Sequence, residues 1–257
     1  MLRRILLVSL LALAAGTSMA QGKKLRIGVE GAYPPFSEVG TDGKMKGFEI
    51  DLAWAFCQQM QRECELVQQE FDALIPALQA RKIDAIVASL SITEERRKTI
   101  AYSDKYYSTP ARFYAKAQPK LDVSPAGLKG KRIGVQSATI HERYIAHHYK
   151  DSQVVRYATQ DQIYLDLRAG RLDIAFSDGV AADFGFLQKE AGKGFGYHGP
   201  TYDDPKWFGE GVGVGLRKAD AKTLGSAFNA AIAALRKDGR FKAIQDKYFA
   251  FDIYGRP

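Results

Sequence analysis

Four residues, Arg-Ile-Gly-Val, occur twice in the chain, at 26–29 and at 132–135, and each copy is followed by a second shared segment. That segment reads Leu78, Ala80, Ile83 and Asp84 in the first half, and Leu167, Ala169, Leu172 and Asp173 in the second. A period of about a hundred residues is too long for a solenoid repeat and suits two α/β lobes of one architecture. Arg-Ile-Gly-Val is a short β-branched run, as expected of a first buried strand in each lobe. Phe71 to Ala80 then places apolar residues at 71, 74, 75 and 78, which is helical spacing, and Ile83 to Leu90 is an almost unbroken apolar run that reads as a strand.

Side chains just past the carboxyl ends of parallel strands line the ligand crevice of such a fold. Four segments stand there: Glu30 to Tyr33, Ala88 to Ser91, Gln136 to His141, and Ser177 with Asp178. All four hold groups that can form hydrogen bonds.

The N-terminus has the three sections of a secretory signal peptide: Arg3 and Arg4, then the apolar run Ile5 to Ala15, then Ser18-Met19-Ala20. Residues 1–20 are therefore expected to be removed by cleavage after Ala20, leaving a soluble, exported chain. No later stretch approaches the roughly 20 apolar residues of a transmembrane helix. A lipid anchor would need a cysteine at the cleavage site, and the nearest is Cys57. Cys57 and Cys64 are the only cysteines, an even number, and in an oxidising compartment they are expected to form a disulfide. A metal or redox pair fits less well, because the spacing is not Cys-x-x-Cys and no histidine lies nearby. The formal charge of +8 falls to +6 without Arg3 and Arg4. Its Lys and Arg residues are dispersed, no nucleic-acid motif is visible, and solvated surface charge accounts for the excess. Such a balance cannot steer a cation inward, so a preference for cations would have to come from local carboxylates.

The densest chemistry lies in Ser89-Leu90-Ser91-Ile92-Thr93-Glu94-Glu95-Arg96. A strand ends in two serines, Thr93 suits a helix N-cap, and Glu94 and Glu95 suit a first helical turn. Arg96 is near enough to fold back over the strand end, where its planar fork would clamp a carboxylate. Read alone, it is more readily one surface arginine among several. Asp178 ends the matching strand of the second half, where it would receive an ammonium group or cap the helix that follows. Together the two describe a clamp for a zwitterion. Glu30 and Tyr33 add an acid and an aromatic face suited to a long cationic side chain, and Phe71 adds a second face or packs in the core.

Taken together, the chain resembles the periplasmic amino-acid-binding proteins of ABC importers, in the branch that binds lysine, arginine, ornithine and histidine. The motifs that carry the resemblance are Glu30 to Phe36, Gly47 to Leu52, Phe71 to Pro76, Ser89 to Thr93, Lys129 to Val135, and Lys247-Tyr248-Phe249. The resemblance implies that Arg96, Ser91 and the segment around Thr139 and Ile140 hold the ligand carboxylate, and that Asp178 and Ser89 hold its ammonium. Its side chain would lie between Tyr33 and Phe71 and end at Glu30, with Gln136 and His141 on the second-lobe wall. Three positions depart from the branch. Glu30 replaces a common Asp, Ala88 replaces a common serine, and Ala138-Thr139-Ile140 replaces a common Gly-Ser/Thr-Thr. Among the branch, arginine- and ornithine-binding members are the most similar.

The fold so implied is α/β, a two-lobed type II periplasmic binding protein with discontinuous lobes and a two-strand hinge. Lobe one would take 23–110 and 212–257, and lobe two 113–206, with crossings at Ala111-Arg112-Phe113 and at Phe208 to Gly213. Gly209, Gly211 and Gly213 would serve the hinge or strand packing. The resemblance further implies a monomer that closes on its ligand and presents it to the membrane permease and ATPase subunits of an importer. No cofactor or metal is expected, and the chain has no Gly-x-x-x-x-Gly-Lys-Ser/Thr loop for ATP. Rival readings are a sensing module for a receptor and a dehydratase-like enzyme on the same fold.

Overall fold

The computed structural model describes residues 23–255; the export segment expected at 1–20 lies outside the described residues. Each Arg-Ile-Gly-Val copy is the second strand of a five-stranded sheet. The first sheet runs Cys64–Gln68, Leu25–Val29, Ala85–Ile86, Val212–Leu216, Ala101–Tyr107. The second runs Gln153–Tyr157, Arg132–Gln136, Ile174–Asp178, Ala111–Lys116, Phe195–Tyr202. In both, the repeat strand is parallel to the neighbours on its two sides, and the fourth strand is antiparallel to the third.

The repeated residues explain why the two sheets share one design. Arg26 donates from Nε and Nη2 to the Asp84 carboxylate at 3.0 and 2.9 Å. Arg132 makes the same two bonds to Asp173, at 3.0 and 2.9 Å. The backbone N–H of each arginine donates to the same carboxylate, so one fork ties the start of the second strand to the start of the third. The glycine of each copy makes room for the residue before that aspartate. A Cβ on Gly28 would stand 2.4 Å from Ile83 Cδ1, and one on Gly134 would stand 2.4 Å from Leu172 Cδ1.

Helices cover the sheets where the apolar spacing placed them. Phe71–Gln79 buries Phe71, Leu74, Ala77 and Leu78. The final helices Ser226–Lys237 and Arg240–Gln245 return Phe228, Ile232, Leu235 and Phe241 to the core of the first lobe. Cys57 and Cys64 form a disulfide that ties helix Phe48–Gln59 to the edge strand Cys64–Gln68. The apolar run Ile83 to Leu90 yields a shorter strand than expected, Ala85–Ile86, and Ser89 then turns with φ +51°.

The chain passes between the sheets twice, after Tyr107 and after Tyr202. The first crossing lies at Ser108 to Pro110, ahead of the Ala111-Arg112-Phe113 expected from the sequence. Those three residues already pair with Asp178, Ser177 and Phe176 in the second sheet, because Ala111 and Phe113 are apolar and bury there. In the return crossing, Gly209 (φ +83°) and Gly211 (φ +113°) adopt backbone angles that favour glycine. Gly213 differs. It lies in the strand Val212–Leu216, where a Cβ would press on Ile92 Cδ1 at 2.8 Å, so its role is packing.

Candidate functional site

The carboxyl ends of both sheets meet at a cavity lined by ten of the twelve residues expected there: Glu30, Tyr33, Phe71, Ser89, Ser91, Arg96, Gln136, Thr139, Ile140 and His141. An adjoining cavity shares Tyr33, Ser89, Ser91, Ile140 and His141 with it and adds Asp178. Ala88 belongs to neither. Its side chain is fully buried beside Leu74, Ile86 and Leu90, and the expectation that it lines the site is corrected. The turn at Ser89 (φ +51°) carries the serine side chain to the cavity while Ala88 stays in the core cluster.

Thr93 caps the short helix Glu94–Arg97 by accepting the Arg96 N–H at 3.3 Å. This places the Arg96 side chain over the strand end, where it donates to the Ser91 carbonyl at 3.2 Å and, across the cleft, to the Ala138 carbonyl at 3.1 Å. The guanidinium carbon stands 5.6 Å from the centre of the Phe71 ring. Phe71 thus packs in the core cluster and presents a face to the site at once. Further N–H donors of the fork remain beyond those two carbonyl bonds. Opposite, Thr139 caps helix Ile140–His148, accepting from the Glu142 N–H at 3.1 Å and donating to the Gln136 carbonyl at 2.7 Å. Its hydroxyl is committed to the fold, so the polar groups this segment turns to the cavity are those of its backbone.

Three acids, Glu30, Asp178 and Glu49, are buried in or beneath the site. Glu30 is 4 % exposed and accepts from the Gln136 amide at 2.6 Å. Burial pushes its pKa up to about 7 against that bond, and Glu49 and Asp161 push it in the same upward direction. Asp178 caps the helix Gly179–Ala182, accepting the Ala181 N–H on Oδ1 at 2.9 Å, and accepts from the Thr109 hydroxyl on Oδ2. Burial raises it to about 6. The capping reading of Asp178 thus holds, and each carboxylate oxygen has a second lone pair open to a further donor. Glu49 is fully buried and raised by burial, with donors at both oxygens. His141, by contrast, is held neutral: burial, with Arg96 nearby, pushes it down to about 3.

Glu49, Thr109 and Gln160 were not anticipated as functional residues. Gln160 donates to Gln136 Oε1 at 3.3 Å and, with the Ala158 carbonyl 3.0 Å from Gln136 Nε2, fixes which way that amide points. Glu49 did leave a signal. It shares a helix face with Leu52, Ala53 and Phe56, an acid in the first place of an apolar i, i+3, i+4, i+7 stripe.

Residues 25–251 match the family described as bacterial extracellular solute-binding proteins, family 3. The chain belongs to that family. Among members with known roles it is 46 % identical to the L-arginine-binding protein of Pseudomonas aeruginosa, over 99 % of both chains. It is 45 % identical to the lysine/arginine/ornithine-binding periplasmic protein of Escherichia coli K12, over 99 % of this chain and 100 % of that one. A solved Salmonella typhimurium periplasmic binding protein of high arginine specificity superposes with a TM-score of 0.82 at 31 % identity, covering 88 % of this chain and 99 % of the other. These similar family members are binding proteins, not enzymes.

Proposed function

We propose that this family member captures a basic L-amino acid, arginine, ornithine or lysine, in the periplasm and hands it as a monomer to the permease and ATPase subunits of an ABC importer. The observation that carries the reading is Glu30. It is a carboxylate almost wholly removed from water, and its hydrogen-bond partner among the described residues is a neutral amide. A cationic side-chain end entering the cavity supplies the charge that burial has withheld.

The remaining groups suit an amino-acid backbone. Arg96, Ser91 and the N–H groups at Thr139 and Ile140 would take the carboxylate, and Asp178 and Ser89 the ammonium. Tyr33 and Phe71 would flank the aliphatic stem, with Gln136 and His141 walling the far side. Each lobe holds part of each contact set, so the ligand is stabilised only in the closed form, and closure is what a transporter can read. Binding without turnover is favoured over a dehydratase-like reaction. The only imidazole of the site is His141, and a ring held near pKa 3 is a poor base at neutral pH.

Calorimetry of ligand-stripped protein with a panel of free amino acids tests this reading. Basic amino acids should bind tightest and release heat without consumption of the ligand. Preference for glutamine or glutamate over arginine overturns the basic-ligand reading, and loss of the amino acid over time overturns the non-enzymatic one.

A further inference from the structure

Beneath the cavity, the Glu49 carboxylate collects three donors. The Ser89 N–H donates to Oε1 at 2.8 Å, the Ser89 hydroxyl to Oε2 at 2.8 Å, and the Tyr106 hydroxyl to Oε1. The ionised carboxylate accepts all three, and these bonds oppose the burial that raises its pKa. On the other side of Ser89, the Tyr107 hydroxyl donates to Ser89 Oγ at 2.7 Å. A serine hydroxyl has one proton and two lone pairs. Here the proton is spent on Glu49 and one lone pair on Tyr107, which leaves a single acceptor lone pair for the cavity that Ser89 lines. The same carboxylate grips both polar groups of a residue at φ +51°, a conformation that non-glycine residues seldom adopt.

We propose that Glu49, a residue outside the cavity, is a positioning residue that locks Ser89 as an obligate acceptor and so makes the site select ligands carrying an α-ammonium group. An acceptor backed by a buried negative charge attracts an N–H donor and has no proton to offer an α-keto or α-carboxylate oxygen. The inference rests on the amino-acid reading above and deepens it, since it assigns selection at the α-carbon to a network of four side chains under the binding surface.

The test is calorimetry of wild type and Glu49→Gln with arginine and with its des-amino analogue, after circular dichroism shows that the variant is folded. The amide brings its own N–H groups toward Ser89, which removes the backing charge and turns at least one donor of the network against another. Arginine should weaken about 10- to 100-fold, the loss of one hydrogen bond to a charged group, while the analogue changes by less than about threefold. Equal losses for both ligands, or none for either, overturn the proposal, because a merely structural role cannot distinguish them. Should Glu49→Gln not fold, Glu49→Asp keeps the charge but withdraws it by one methylene, and the same selective loss supports the proposal while an equal loss overturns it. If the wild type binds no amino acid, the functional reading and this inference both fall; if it binds arginine no better than the des-amino analogue, the selection assigned here is absent and only the inference falls.

Discussion

Where the first repeat strand ends stands Glu30, and where the second ends stands Gln136; five residues past the repeat aspartates stand Ser89 in one lobe and Asp178 in the other. The frames beneath these positions are the same, an Arg–Asp fork and a glycine that admits Ile83 or Leu172. What changes is charge. At each matched pair one lobe supplies the acid and the other a neutral group, and the acids fall in opposite lobes. Two carboxylates facing each other across the cleft would hold each other protonated. Glu30 opposite Gln136 instead meets a donor, and Ser89 opposite Asp178 would share an ammonium with it in the proposed complex. The scaffold is repeated, and the zwitterion site proposed above rests on the asymmetry of four side chains.

Arg96 breaks the pseudo-symmetry most, since the matching position in the second lobe is Gly185. Arg96→Ala should therefore cause the largest change, weakening arginine by about 2 to 5 kcal/mol, as expected on removing one side of a buried charge-assisted contact. Thermal melting should stay near the wild-type value. Calorimetry showing unchanged affinity in the folded variant would remove Arg96 from the site.

Making the Glu30 pair symmetrical comes next. Glu30→Gln leaves amide facing amide and should cost arginine about 1 to 3 kcal/mol, while glutamine changes little. Exchanging the pair, with Glu30→Gln and Gln136→Glu together, returns one acid to the same space and should recover part of the arginine affinity. If the exchange is as poor as the single variant, the acid must sit in the first lobe, and the matched-pair account is too simple.

The pH dependence follows from the same acid. Glu30 rises on folding from an ordinary 4.5 to about 7, through burial, with Glu49 and Asp161 adding to it and Gln136 opposing it. A carboxyl raised on folding adds stability below its unfolded value and loses it as pH climbs through the folded one. Ligand-free wild type should accordingly lose stability between pH 4.5 and about 7 relative to Glu30→Gln. Arginine needs the ionised form, so its affinity should rise over the same window and its binding should release a proton. Titrations in buffers of different ionisation heat read that proton directly, and none released near pH 6 would place Glu30 in the ionised state already.

Much of this was legible before any coordinates. The duplicated segments placed the four stretches at the strand ends, Asp178 among them, and the Thr93 cap placed Arg96, because these are local arrangements written in adjacent residues. Glu49 was not, since its partners Ser89 and Tyr106 stand 40 and 57 residues away and only the fold brings them together. Ala88 was misplaced for a different reason: it sits inside a segment read as a block, and the positive-φ turn at Ser89 that parts it from the cavity is not written in the residue types. The first crossing was read late because Ala111 to Phe113 look like a linker until the second sheet is present to bury them.

The smallest expected effect concerns the frames themselves, which are alike but not equally loaded. Asp84 accepts from Arg26 and also from Arg217 Nη2 at 3.2 Å, and its side chain is 18 % exposed. Among the described residues Asp173 accepts from Arg132 alone of the arginines, with the side chains 30 % and 38 % exposed. Arg217 in turn donates to the Ile83 carbonyl at 2.7 Å, so the first-lobe fork reaches back to the strand that the second crossing delivers. Asp84→Asn leaves Arg26 short of a carboxylate in a partly buried place and removes one of two from Arg217, which keeps its ion pair with Asp220, and it should cost about 1 to 3 kcal/mol. Asp173→Asn breaks a more solvated pair and should cost less than about 1 kcal/mol. Urea midpoints at constant m-value give both numbers. Arginine affinity should be unmoved in either, because the forks sit at the amino ends of strands whose carboxyl ends carry the site. Equal midpoints would mean that Arg217 contributes nothing through Asp84, and a larger loss at Asp173 would show that the second lobe depends on its single fork more than the first depends on two.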